Sequence, residues 1–217
     1  MADQVRNVFQ KYKSSALLAI LIIFYCVGLV GLLIPDEKEY FLSLSFLNLI
    51  LSFCIMILAR KTNIFLFLSF LLLCFFVGIT VELIGTKTGL LFGNYAYGNN
   101  LGYKLSGVPI VIGLNWGILI ATSASIANVL KSSIPIKIIV SVGLMILLDF
   151  LMEPVAMKSD FWNWKNETIP FYNYICWGLV SFPLQLVYFK FKIVETNIVF
   201  NVLFIILSLF FLILNLF

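Results

Sequence analysis

Residues 64–84 read IFLFLSFLLLCFFVGITVELI, an apolar run with no charged side chain before Glu82. Its length matches the ~20 residues that a helix needs to cross a hydrocarbon core. Leu, Ile and Phe follow one another without polar alternation, which argues for a helix and against a strand of a membrane barrel. Outward from this run, comparable stretches recur at about 16–34, 41–59, 108–127, 134–152, 172–189 and 197–216. The expected fold is all-α, a polytopic transmembrane helical bundle of about seven spans, with one transmembrane domain over 1–217.

Composition agrees. Of 217 residues, 62% are hydrophobic and 11% charged, where soluble domains carry roughly 25% charged residues. Such a chain lacks the polar surface to cover a globule in water, and the spans leave no length for separate soluble domains. The fourth span is the least regular, because it carries Asn115, Thr122 and several serines. Arg6, Lys11 and Lys13 ahead of the first span resemble a signal-peptide n-region. No small-residue cleavage site follows cleanly, and Pro35-Asp36-Glu37 reads as a hairpin turn, so the first span is expected to stay uncleaved.

Lysine and arginine in the connections set the expected orientation. Arg6, Lys11, Lys13, Arg60, Lys61, Lys131, Lys137, Lys190 and Lys192 fall on the N-terminal side, nine against the five of Lys38, Lys87, Lys104, Lys158 and Lys165. This places the N-terminus in the cytoplasm and the chain in the cell (inner) membrane. The net charge of +4 then reflects topology and anionic lipid, not nucleic acid, since no single basic face forms. Cys26, Cys54, Cys74 and Cys176 all lie inside spans and are expected to be free, buried thiols.

Two connections on the same expected outer face carry residues that a hydrophobic bundle does not require. They are 85–107, GTKTGLLFGNYAYGNNLGYKLSG, and 154–171, PVAMKSDFWNWKNETIPF. Long loops of this kind often carry function. Seven of the ten carboxylates lie in tails or loops; Glu82, at the end of the third span, and Asp149 and Glu153, in the last turns of the fifth, do not. Asp149 and Glu153 are four residues apart and share a helix face. A carboxylate facing lipid costs a few kcal/mol, so these three should face an interior cavity. The blander alternative is a set of solvated helix ends, or pairs with Lys87 and Lys158. Trp162, Trp164, Tyr172, Tyr174 and Trp177 equally suit an interfacial aromatic belt, and Gly85, Gly89, Gly93 and Gly98 suit turns and close packing.

The chain contains no histidine. That removes a Ser-His-Asp triad, histidine-ligated zinc, the histidine-box iron of membrane desaturases and a histidine-held haem. The seventh span has no lysine for a retinal Schiff base. Proton chemistry, if any, falls to carboxylates with help from tyrosine. A carboxyl group in an apolar cavity holds its proton more tightly and serves as a general acid near neutrality.

Glu82-Leu-Ile-Gly-Thr86-Lys87-Thr-Gly89, continuing through Phe92-Gly93-Asn94-Tyr95-Ala-Tyr97 to Gly107-Val-Pro109, resembles the signature of the CruF-type carotenoid biosynthesis proteins. Asp149-Phe-Leu-Met-Glu153-Pro154 with Trp162-Asn-Trp164 resembles that family's second block, and Pro170-Phe-Tyr172-Asn173-Tyr-Ile-Cys-Trp177-Gly178 its third. Glu153 stands where Asp is commoner, a change that keeps the carboxylate. The resemblance implies a carotenoid hydratase adding water across the terminal 1,2 double bond of an acyclic (ψ) end group, with no metal or redox cofactor. Its implied substrate lies within the bilayer, and association with other carotenoid enzymes stays open. On that basis Glu82, Asp149 and Glu153 are the candidate catalytic residues, with Asp149 or Glu82 as the acid. Tyr95, Tyr97, Trp162 and Trp164 would line the mouth of the site, and Asn94 and Asn173 would hold the water. The alternatives are a carrier of a lipid or small solute with a proton-binding carboxylate cluster, and an assembly subunit whose aromatic loops bind a partner.

Overall fold

The computed structural model describes the backbone of residues 2–217 and the side chains from Gln10 onward. The Arg6 side chain, one of the nine cations in the orientation count, lies outside the described residues. The chain forms α1 (Ala2–Leu33), α2 (Lys38–Ser43), α3 (Ser45–Ala59) and α4 (Ile64–Thr88). After α4 come the short strands β1 (Tyr95–Tyr97), β2 (Lys104–Leu105) and β3 (Val108–Pro109). Helices α5 (Ile110–Asn128) and α6 (Ile134–Lys158), strand β4 (Trp162–Trp164), and helices α7 (Phe171–Lys190) and α8 (Ile198–Leu216) complete it. Among the described residues, α1 from Gln10, α4, α5, α6 and α8 are each long and apolar enough to cross a membrane. The shorter α3 is also apolar, and α7 is long enough but carries Asn173, Ser181 and Gln185.

Six of the seven expected spans each match one helix, and the second does not. The chain turns at Leu44 between α2 and α3, so the 41–59 run is two helices rather than one. Two other helices outrun their expected ends. Helix α4 continues to Thr88 and stops at Gly89, whose φ of 68° is the left-handed conformation that ends helices and favours glycine. Helix α6 runs through Pro154 to Lys158. Proline removes one N–H and crowds the preceding turn. In that turn Asn215 of α8 donates to the Leu151 carbonyl at 2.7 Å. Glu82, Asp149 and Glu153 therefore sit within helices and not at their ends.

Helix α5 is the axis. It packs against α3, α4, α6, α7 and α8, which shield it from lipid. This explains its irregular sequence. Thr122 and Ser123 bond back to the carbonyls of Ile118 and Leu119, both at 2.7 Å, and Ser125 meets Asn201 of α8 at 2.6 Å. Gly113 lies against the Phe75 ring and Gly117 against Leu71, so small residues bring α4 and α5 close. Of the four free cysteines, Cys74 and Cys176 are buried as expected, but Cys26 and Cys54 are exposed on the outside of the bundle. An apolar span tolerates a thiol on either face.

At one end of the bundle Glu195 closes the structure. Its carboxylate accepts from the Lys61 and Thr62 amides, at 2.9 and 2.7 Å, and from Asn197 Nδ2 at 2.8 Å. It thereby ties the α3–α4 turn to the α7–α8 connection. Glu195→Ala leaves these donors unpaired, at about 1–3 kcal/mol. The expected result is a lower thermal midpoint in detergent with unchanged activity per folded molecule, because the residues below lie at the other end.

Candidate active site

The two long connections meet at that other end. Strand β1 pairs antiparallel with β4, with Tyr95 opposite Trp164, Ala96 opposite Asn163 and Tyr97 opposite Trp162. Side chains alternate across a strand, so Tyr-x-Tyr and Trp-x-Trp place four aromatic side chains on one face. The pairing is tight at its end. The Gly98 amide donates to the Phe161 carbonyl at 3.0 Å, and a Cβ on Gly98 would run into the Asp160 carbonyl.

That aromatic face covers the acids. Glu82 projects from α4 between Gly78 and Gly85, which share its helix face. A Cβ at Gly78 would meet the Trp116 ring at 2.5 Å, and one at Gly85 the Tyr95 hydroxyl at 2.8 Å. The glycines thus make room for the groups that bond Glu82. Trp116 Nε1 donates to Oε1 at 3.2 Å, Tyr97 donates to Oε2 at 2.7 Å, and Tyr95 also donates to Oε2. Burial, and then the facing Glu82 carboxylate, push both phenols well above their ordinary pKa. Both remain protonated donors.

Glu153 is held in the same manner. Trp162 and Trp164 donate their indole N–H groups to Oε2 at 3.0 and 2.6 Å, and Asn173 Nδ2 donates to Oε1 at 3.0 Å. The same Asn173 amide reaches Asp149 Oδ2 at 2.7 Å. Asn173 sits in the first turn of α7 and so bridges two carboxylates one turn apart on α6. Asp149 Oδ1 differs from the other carboxylate oxygens here. It is buried and, among the described residues, has no hydrogen-bond partner.

All three carboxylates are buried, with Asp149 wholly so. They line one small cavity of about 30 Å³, roomy enough to hold water. Aromatic rings wall it. Trp116 and Trp177 stack at 4.4 Å, and Phe92 lies 6.3–6.4 Å from Tyr95, Trp116 and Trp177.

The structure therefore brings together Glu82, Asp149, Glu153, Tyr95, Tyr97, Trp162, Trp164 and Asn173. Among the described residues the acids bond to neutral donors, not to Lys87 or Lys158. The belt reading holds only in part, because Trp162, Trp164 and Trp177 face inward while Tyr172 stays exposed. Asn94 is a correction. It does not line the cavity, because its side chain packs beside Gly89 while its carbonyl accepts from the Lys165 amide at 2.9 Å. Asn115 and Trp116 are additions, both lining the cavity from the first half of α5. The signal for them was an Asn-Trp pair in the otherwise apolar first half of that span.

No solved structure matches this chain. Bisanhydrobacterioruberin hydratase from Haloarcula japonica is 26% identical over 119 residues, a match covering 51% of this chain and 40% of that protein. The chain thus matches less than half of that relative's length. The model of the family described as "Carotenoid biosynthesis protein" matches residues 41–217. That range contains every side chain lining the acidic cavity, from Glu82 to Trp177, and it covers most of the sequence: this membrane protein belongs to the carotenoid biosynthesis protein family.

Proposed function

We propose that the protein is a carotenoid hydratase, adding water across the terminal 1,2 double bond of an acyclic end group to give a tertiary 1-hydroxy carotenoid. The observation that carries this reading is the convergence of three buried carboxylates under an aromatic cage. One of the three has an oxygen free of any partner. A relative named as a hydratase supports it.

An isolated trisubstituted alkene carries no polarising group, so it needs a positioned acid and a site that tolerates a cation. The hydrogen bonds divide these tasks. Glu82 and Glu153 each accept three donated bonds, which suits carboxylates that stay charged. Asp149 accepts one, leaving Oδ1 as the place for a transferable proton. Asp149 protonates C2, forming the C2–H bond and leaving a tertiary cation at C1. Glu82, Glu153 and the Trp and Tyr faces stabilise that cation. Water adds to C1, and the oxonium returns its extra proton to Asp149, so acid and charge are restored.

With the N-terminus cytoplasmic, as the lysine and arginine asymmetry favours, this site lies at the outer end of the bundle. The test is pigment analysis in lycopene-making bacteria expressing the chain. The expected product is heavier by one water, with its hydroxyl oxygen drawn from labelled water and not from oxygen gas. An unchanged pigment profile with lycopene and other acyclic precursors overturns the proposal.

A further inference from the structure

The acidic cavity, at about 30 Å³, holds a water but not an isoprenoid end group as well. The end group must reach it from elsewhere, and one wall is shared with a neighbouring cavity. Ile112, Asn115, Met152 and Trp162 line both the acidic cavity and a second, mainly apolar cavity of about 80 Å³. Leu32, Ser45, Asn48 and Phe210 line both this second cavity and a third of about 220 Å³. The third lies between α1 and the α2–α3 segment, and its rim residues Phe24, Val27 and Leu47 are 53%, 53% and 48% exposed on the outside of the bundle.

We propose that these three cavities form one lateral passage, through which the hydrocarbon chain of an acyclic isoprenoid enters from the lipid and in which it rests with its terminus at the acids. This rests on the proposed hydratase reading and adds the binding path to it. The composition of the route fits such an occupant. Its two outer cavities are lined mainly by aliphatic and aromatic side chains, with Ser45 and Asn48 where the two meet and Asn115 where the second meets the acids. Asn115 stands at the junction of the first two cavities. There it is placed to orient water beside the terminal double bond.

Helix α1 shapes the mouth through two glycines three residues apart, on neighbouring faces. A Cβ on Gly31 would overlap the Phe41 ring of α2, so the helices touch there. Among the described residues, a Cβ on Gly28 meets nothing within 4 Å, and Gly28 lines the outermost cavity. The stretch from Phe24 to Leu32 carries the passage along about 12 Å of α1.

Gly28 supplies the test, because a side chain there fills the passage without striking its surroundings at Cβ. Gly143, on the exposed face of α6, also has open space at its Cβ and lines none of the three cavities. Gly28→Ala, Gly28→Leu, Gly28→Trp and Gly143→Trp are expressed as full chains in lycopene-making cells. Two readouts are taken: lycopene retained per mole of detergent-purified protein, and hydrated pigment formed per mole of membrane protein. Retention and conversion are expected to fall in the order Ala, Leu, Trp at Gly28, by about tenfold or more for Trp, and to stay within about twofold for Gly143→Trp. The Leu variant keeps the test decisive if Gly28→Trp fails to accumulate. Equal retention and conversion in the Gly28 and Gly143 series overturns the passage while leaving hydration intact. Gly28-dependent retention without any hydrated product overturns hydration and leaves the passage standing. A wild-type chain that retains no lycopene overturns the passage.

Discussion

Asp149→Asn is expected to lower hydration by about 10²–10⁴-fold, the range for losing a general acid, while the protein stays in the membrane at its wild-type level. The substitution is nearly isosteric, and the local hydrogen bonds accommodate it. The amide oxygen replaces Oδ2 and accepts from Asn173 Nδ2, which in the wild type lies at 2.7 Å. The new NH₂ then occupies the place of Oδ1, which has no partner to lose and no donor to oppose. The packing survives and the proton source does not. The measurement is hydrated pigment per mole of membrane protein, beside the thermal midpoint in detergent. Wild-type conversion by Asp149→Asn would remove Asp149 from the acid's role and transfer the question to Glu82. Loss of the folded protein would instead give Asp149 a structural task that its single hydrogen bond does not indicate.

The spans are legible in the sequence because an apolar run of membrane length needs no partner to be recognised. The acids are legible for a related reason, since Glu82, Asp149 and Glu153 interrupt such runs and lipid gives them no other refuge. Features that depend on a neighbour are not. The turn at Leu44 and the passage of α6 through Pro154 are decided by packing that a linear pattern does not contain. Strands of three residues are too short for periodicity to announce them, although Tyr95-Ala96-Tyr97 and Trp162-Asn163-Trp164 do alternate with period two. Asn115 and Trp116 look like defects in a lipid-facing span until α5 is known to be the central helix. Asn94 errs the other way, because adjacency to Tyr95 does not place it on the same face of the strand.

Glu82→Gln and Glu153→Gln should separate, although both remove one charge from the same cavity. At Glu82 the replacement can be satisfied. Its amide oxygen accepts from Trp116 Nε1, and its NH₂ turns toward the Tyr95 and Tyr97 hydroxyls, whose oxygens also accept. Stability should stay within about 1 kcal/mol. Turnover should fall by about 10²–10³-fold, comparable with losing one electrostatic contact to a transition-state charge. At Glu153 every partner is an N–H donor: two indoles on Oε2 and the Asn173 amide on Oε1. A glutamine NH₂ must oppose one of them in either orientation. Rotating Asn173 turns its oxygen onto Asp149 Oδ2, a contact satisfied only by moving the Asp149 proton off Oδ1 and out of its catalytic place. Glu153→Gln should therefore lose both activity and stability, the latter by about 1–3 kcal/mol for the unpaired buried donor. That corresponds to about 2–4 °C per kcal/mol in the thermal midpoint for a chain of this size. Midpoints and turnover measured side by side decide the matter. Equal midpoints for the two variants would mean that Glu153 is not the fixed acceptor of the Trp162 and Trp164 indoles, and the division of roles among the three acids would have to be redrawn.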